Sequence, residues 1–124
     1  LGRIKLKDLD KNKFSNFIIY KRAKHVITEN DRVHRAKVFL LENNIKEFGR
    51  LMNESHKSYS IDFEASTTDV DLITKRSVEF GALGSRLTGG GFGGFSVSLI
   101  DKKNYDIWFE KMQNYYNTDK FFKV

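Results

Sequence analysis

The stretch Gly84-Ser85-Arg86-Leu87-Thr88-Gly89-Gly90-Gly91-Phe92-Gly93-Gly94-Phe95-Ser96-Val97-Ser98-Leu99 decides how this chain is read. In its second half Phe95, Val97 and Leu99 alternate with Ser96 and Ser98, the two-residue period of a β-strand with one apolar face. Residues 82–88 are a weaker strand candidate, so residues 89–94, five of them Gly, read as the link of a hairpin. Such a loop gives up side chains and backbone entropy, a cost met where a backbone turns tightly or approaches something closely. The residues alone leave two readings side by side, a tight hairpin with a bulge and a loop that faces a ligand.

Working outward, the period changes from two to about 3.6. From Phe17 to Leu41 there is no Gly, and Ala23, Val26, Ile27, Val33, Ala36 and Leu40 recur at mostly three- and four-residue steps, which predicts a long helix buried on that face. Asn43-Asn44 interrupts it. Asn44 with Glu47 makes a capping pair for a second helix with Ile45, Phe48, Leu51 and Met52 inward, a stripe that Tyr59 extends. Ser66-Thr67-Thr68-Asp69 offers side-chain oxygens to a third helix with Val70, Ile73 and Phe80 inward, and Gly81 stops it. After the hairpin, residues 101–116 are helical again with Tyr105, Trp108, Phe109 and Met112 inward, and Phe121-Phe122-Lys123-Val124 reads as a last strand. The order predicts an α+β domain in which helices cover one face of a largely antiparallel sheet.

The 124 residues suffice for one domain, and 40% apolar residues with 17 aromatics promise a core. The absence of cysteine excludes disulfides, thiol catalysis and thiolate metal sites and fits a reducing, cytoplasmic setting. No apolar run approaches the ~20 residues needed to span a bilayer, so a soluble protein without a membrane partner is expected. The chain begins with Leu1 and has no signal segment, which suggests an amino end cut from a longer chain. The net charge of +6 comes from the first 60 residues, with 14 Lys and Arg against 7 Asp and Glu. Lys21-Arg22-Ala23-Lys24 and Arg32-Val33-His34-Arg35-Ala36-Lys37 share helical segments with Glu29 and Asp31, the pattern of a solvated helix face and not of a nucleic-acid partner.

Other chemistry fares poorly. Gly89, Gly91 and Gly94 satisfy G-x-G-x-x-G, but a dinucleotide site needs a helix after the loop and here a strand follows. No Gly-Lys-Ser/Thr occurs. His25, His34 and His56 have no metal-ligand spacing, which favours packing or surface roles. Asp62 and Glu64 would face opposite ways on an extended segment, and Ser55-His56 are helical neighbours that do not face one another.

The wording of residues 84–94 closely resembles the third, carboxy-terminal motif of the GHMP small-molecule kinases, in the form found in the galactokinase family. The segments 22–33 (RAKHVITENDRV), 48–56 (FGRLMNESH), 62–66 (DFEAS) and 71–73 (DLI) resemble successive galactokinase segments in their usual order, over roughly residues 20–124. The resemblance implies a ferredoxin-like GHMP kinase carboxy-terminal domain filling residues 1–124. The implied activity moves the γ-phosphoryl group of ATP, with Mg²⁺, onto the anomeric hydroxyl of galactose. Such kinases begin with another domain that carries the sugar-recognition motif, a Pro-x-x-x-Gly-Leu-Ser-Ser-Ser phosphate loop and the catalytic Asp and Arg. A chain without Pro cannot contain that loop, so no catalytic or metal residue is assigned here and the chain alone is expected to be inactive. The resemblance places Gly89, Gly90, Gly91, Phe92, Gly93 and Gly94 against the phosphate site, with Ser85, Arg86 and Thr88 flanking it. Phe95 stands where the family commonly has a small residue, a departure attributable to core packing or to a narrower sugar site. A kinase for N-acetylgalactosamine and a non-catalytic sugar-sensing module of the same fold are the alternatives.

Overall fold

The computed structural model describes residues 4–117. Short 3-10 turns at Leu6–Asp8 and Lys11–Lys13 lead into helix α1, Phe17–Leu41, whose first turn is capped by Asn16. Helix α2, Ile45–Ile61, follows, and the Asn44 side chain accepts from the Glu47 amide as its spacing predicts. Helix α3, Thr68–Glu79, is capped by Thr67 accepting from the Val70 amide and ends ahead of Gly81, whose φ is +119°. Strands β1, Gly84–Thr88, and β2, Phe95–Leu99, pair antiparallel with Gly84 opposite Leu99 and Thr88 opposite Phe95. A 3-10 turn, Lys102–Asn104, then opens helix α4, Tyr105–Tyr116. The α+β reading stands, while the strand expected at 121–124 lies outside the described residues.

Packing places β1 at the centre. Helices α2 and α3 both lie against it, α3 reaches β2, α1 packs chiefly on α2, and α4 packs on α3. Met112 and Trp108 are buried with Ala82, and Ile73, Phe80, Ile100, Tyr105 and Phe109 close around them, so the aromatic stripe of α4 is core. The Trp108 indole N–H donates to the carbonyl and the hydroxyl of Ser77, both at 3.1 Å. From Ser77 a run of hydroxyls continues to Ser98 at 2.7 Å and to Ser85 at 2.8 Å, satisfying polar atoms that the core encloses.

Helix α1 corrects the expected face. Of the expected positions Ile27 is buried as predicted, but Val33 is 61% exposed and Leu40 51%, and His25 is buried instead. The seam between α1 and α2 carries paired polar groups: His25 meets Ser58, Glu29 meets Ser55, and Arg22 and Lys24 reach Asp62. Most basic residues of α1 are thereby engaged by carboxylates, Lys21 and Arg22 by Glu64, Arg32 by Glu29, and Arg35 by Asp31 and Glu54. The positive charge of α1 is thus largely tied into the fold.

Candidate functional site

Helix α2 runs alongside β1 and fastens it at successive turns. A step of three or four helical residues advances about 5 Å, and two strand residues advance about 6.6 Å, so a helix and a strand can stay in step for several contacts. At the first contact Gly49 and Gly84 lie back to back: a Cβ on Gly84 would stand 2.2 Å from the Gly49 carbonyl oxygen, and a Cβ on Gly49 would stand 2.6 Å from that of Leu83. Only two glycines allow this approach. At the second, the Asn53 amide acts like a strand peptide, with Oδ1 accepting from the Ser85 N–H at 2.9 Å and Nδ2 donating to the Leu83 carbonyl at 3.3 Å. Third, His56 Nδ1 accepts from the Leu87 N–H at 3.2 Å. The fourth is at the loop, where a Cβ on Gly91 would be 3.1 Å from the Tyr59 hydroxyl and 2.7 Å from the Ala65 carbonyl oxygen. Edge amides of β1 are therefore satisfied by side chains of a helix.

Between residues 88 and 95 the backbone takes the left-handed region at Gly89, Gly91, Phe92, Gly93 and Gly94. The loop is pinned at its middle, where the Phe92 N–H donates to the Ala65 carbonyl at 2.7 Å and Gly91 closes on the α2 to α3 corner. A Cβ at Gly89, Gly90, Gly93 or Gly94 would meet nothing within 4 Å. The loop thus offers open backbone on both sides of one anchor, and Phe92 projects from it 77% exposed.

The expected site residues divide accordingly. Gly89, Gly90, Gly91, Phe92, Gly93 and Gly94 are together in the loop, with Thr88 exposed at its start. Ser85 is 1% exposed and its hydroxyl is held by Ser98, so the structure sets it in the interior, away from the open backbone of the loop. Arg86 donates to Glu29 at 3.2 Å, tying β1 to α1. Phe95 is 72% exposed opposite Thr88, so among the described residues it does not pack into the core. Asp62 and Glu64 also differ from expectation: Asp62 caps α2 in helical geometry and Glu64 is left-handed, and both serve the α1 cations.

Electrostatics concentrate behind β1. Asp71 accepts from His56 Nε2 at 2.9 Å, from the Ser60 hydroxyl at 2.9 Å and from the Ser66 hydroxyl at 2.7 Å. Burial raises the Asp71 pKa, yet the bonds from Ser66, Ser60 and His56 outweigh it and hold the carboxyl below its ordinary value. Burial pushes His56 down against the upward pull of Asp71, with Arg86 adding to the lowering. A neutral His56 therefore carries its proton on Nε2, because Nδ1 is occupied as an acceptor. Glu29 resists burial through bonds from Ser55 and Arg32 and also lies below its ordinary value. His25 is lowered chiefly by burial. Ser58 donates to Asp62, which leaves His25 Nδ1–H to donate to Ser58.

Asn53 and His56 were not legible as strand partners in the sequence. Their one signal is spacing, because Asn53, His56 and Tyr59 succeed one another by three on a helix and so form one stripe. Among the described residues no group of three or more His, Asp or Glu is placed to hold a metal ion. No described helix is long and apolar enough to cross a membrane.

The family model for the carboxy-terminal part of GHMP kinases matches residues 36–118. A galactokinase of Enterococcus faecalis is 41% identical over 99 residues, covering 79% of this chain and 26% of that protein. A galactokinase of Dictyostelium discoideum is 38% identical over 120 residues, covering 82% of this chain and 24% of that one. Among solved structures, Lactococcus lactis galactokinase complexed with galactose superimposes with a TM-score of 0.85 at 29% identity, over 94% of this chain and 31% of the other. The chain thus spans about a quarter to a third of the length of the relatives it matches.

Proposed function

Because the chain belongs to the family of GHMP kinase carboxy-terminal domains, we propose that it is that part of a galactokinase. The whole enzyme transfers the γ-phosphoryl group of ATP to the anomeric hydroxyl of galactose in the cytoplasm. The observation that carries the reading is the glycine loop, pinned at Gly91 and Phe92 and open at Gly89, Gly90, Gly93 and Gly94.

Phosphoryl transfer depends on positioning and on compensating the charge of the transferring group. Residues 89–94 contain no cation, so what they contribute is backbone. Open glycines let a second backbone, the phosphate loop of the preceding domain, come close, and the loop amides brace or reach the phosphate oxygens. The donor set fits ATP in this supporting sense, with Thr88 adding a hydroxyl at the loop's start. Ser85 contributes from behind by fixing the strand. No Mg²⁺ ligand is assigned to this chain; its ligands are placed with the rest of the enzyme. The chain alone is accordingly inactive, since it supplies neither the nucleophile's base nor the sugar site.

The test is ATP-dependent phosphorylation by the full-length protein across galactose, N-acetylgalactosamine and other hexoses, beside the 124-residue chain. Activity with galactose in the full-length protein and none in the chain supports the reading. Activity in the chain, or preference for another hexose, contradicts it.

A further inference from the structure

Resting on the proposed kinase reading for its functional part, we infer that His56 is a positioning residue for the glycine loop: its unprotonated Nδ1 holds the Leu87 amide two residues before Gly89, and protonation releases that hold. Three observations converge. His56 bridges three elements, standing on α2, accepting from β1 at 3.2 Å and donating to Asp71 of α3 at 2.9 Å. Its ring is therefore fixed in one tautomer and orientation by a carboxylate that Ser60 and Ser66 in turn fix. Beyond Leu87 the next fastening of this segment to α2 is at the loop itself, where Gly91 meets Tyr59 and Ala65. Loss of the Leu87 bond leaves the end of β1, still paired with β2 through Thr88 and Phe95, without a side-chain fastening to α2 between Asn53 and the loop.

The chemistry makes the hold conditional. A backbone N–H can donate only to a lone pair, and imidazolium has none, so a proton on Nδ1 places two donors against each other. Charged groups near the ring stand on α2, α3 and β1. Asp71 on α3 favours the proton, Arg86 on β1 opposes it, and Lys57 on α2 and Lys75 and Glu79 on α3 line the same groove. That groove, about 560 Å³ between α2 and α3, opens the site to solvent, so the ring can exchange protons without global unfolding. Burial sets the balance toward the neutral ring.

The experiment uses the full-length protein, with His56→Asn and His56→Ala. Asn keeps an acceptor at the δ position and cannot titrate; Ala has neither property. Amide exchange of the segment holding Leu87, corrected for intrinsic rates, is followed from pH 8 to 5 together with kcat and KM. The wild-type Leu87 amide should lose about tenfold in protection per pH unit across the transition, as one linked proton requires. In parallel kcat should fall, with KM for the sugar unchanged. His56→Asn should stay protected with a flattened acid limb, and His56→Ala should be unprotected at every pH. Unchanged wild-type protection across this range, or His56→Asn behaving like His56→Ala, would overturn the inference. A wild-type protein without kinase activity refutes the proposed function instead, while exchange still decides the role of His56.

Discussion

Replacing Gly84 by Ala should separate α2 from β1. The added Cβ would lie 2.2 Å from the Gly49 carbonyl oxygen and 2.8 Å from the Gly49 Cα, both backbone atoms that cannot swing aside. Restoring ordinary contact at about 3.4 Å needs the helix and strand to part by about 1.2 Å. The bonds from Ser85 N–H to Asn53 and from Leu87 N–H to His56, at 2.9 and 3.2 Å, would then exceed hydrogen-bond range. Overpacking costs about 1–3 kcal/mol and each of the two lost bonds about 0.5–1.5 kcal/mol, which together come to about 2–6 kcal/mol. That is a large part of the ~5–15 kcal/mol that holds a domain folded. Urea titration of the purified chain by circular dichroism measures it. Gly90→Ala is the control, because a Cβ there meets nothing and its φ is not left-handed, so its cost should stay within about 0.5 kcal/mol. A loss below about 1 kcal/mol for Gly84→Ala with an unchanged m-value would refute the close-approach argument.

Other expectations follow from the same contacts. His25 and His56 both have folded pKa values below the ordinary 6.5, so the unfolded chain takes up protons first as pH falls. Their stabilisation is complete above about pH 6.5 and declines below it, at most about 1.4 kcal/mol per pH unit for each ring. Urea midpoints measured from pH 8 to 5 should fall accordingly, and a flat or rising series contradicts the assignment. Met112→Ala should cost about 2–5 kcal/mol by emptying a fully buried site, read from the same titration. Trp108→Phe leaves the Ser77 hydroxyl and carbonyl without the indole donor and should cost about 1–3 kcal/mol. Glu29→Gln should cost about 1–3 kcal/mol because Arg32, Arg86 and Ser55 share that carboxylate, whereas Glu79→Gln, on surface pairs with Lys75 and Arg76, should cost under about 1 kcal/mol.

What the sequence made legible was whatever local chemistry governs. The caps Asn44 and Thr67, the stop at Gly81, the alternation in β2 and the α4 stripe of Trp108 and Met112 all depend on near neighbours in the chain. The face of α1 was misread in part because apolar periodicity ignores polar groups that pair across a seam, and here His25, Glu29 and Arg22 lie in that seam while Val33 and Leu40 stay exposed. Asp62 and Glu64 were misread because their geometry answers to α1 cations some 40 residues earlier. The loop composition was plain, yet its anchor was not, since nothing local links Phe92 to Ala65. Ser85 stands beside the loop in sequence, but strand alternation and the partners Ser98 and Asn53 turn it inward.

The central claim is that this glycine loop, set by its anchor at Gly91, serves phosphoryl transfer to galactose. The most direct measurement is the galactose-dependent rate of ADP formation by the full-length protein and its Gly91→Ala variant. The substituted residue would face φ +89° and a Cβ 2.7 Å from the Ala65 carbonyl oxygen, which lifts the loop from its corner. The account predicts galactose-dependent ADP formation in the wild type and a fall of at least about tenfold in kcat in the variant, the scale of about 1.4 kcal/mol in the barrier. No galactose-dependent turnover in the wild type, or an undiminished kcat in Gly91→Ala, would contradict it.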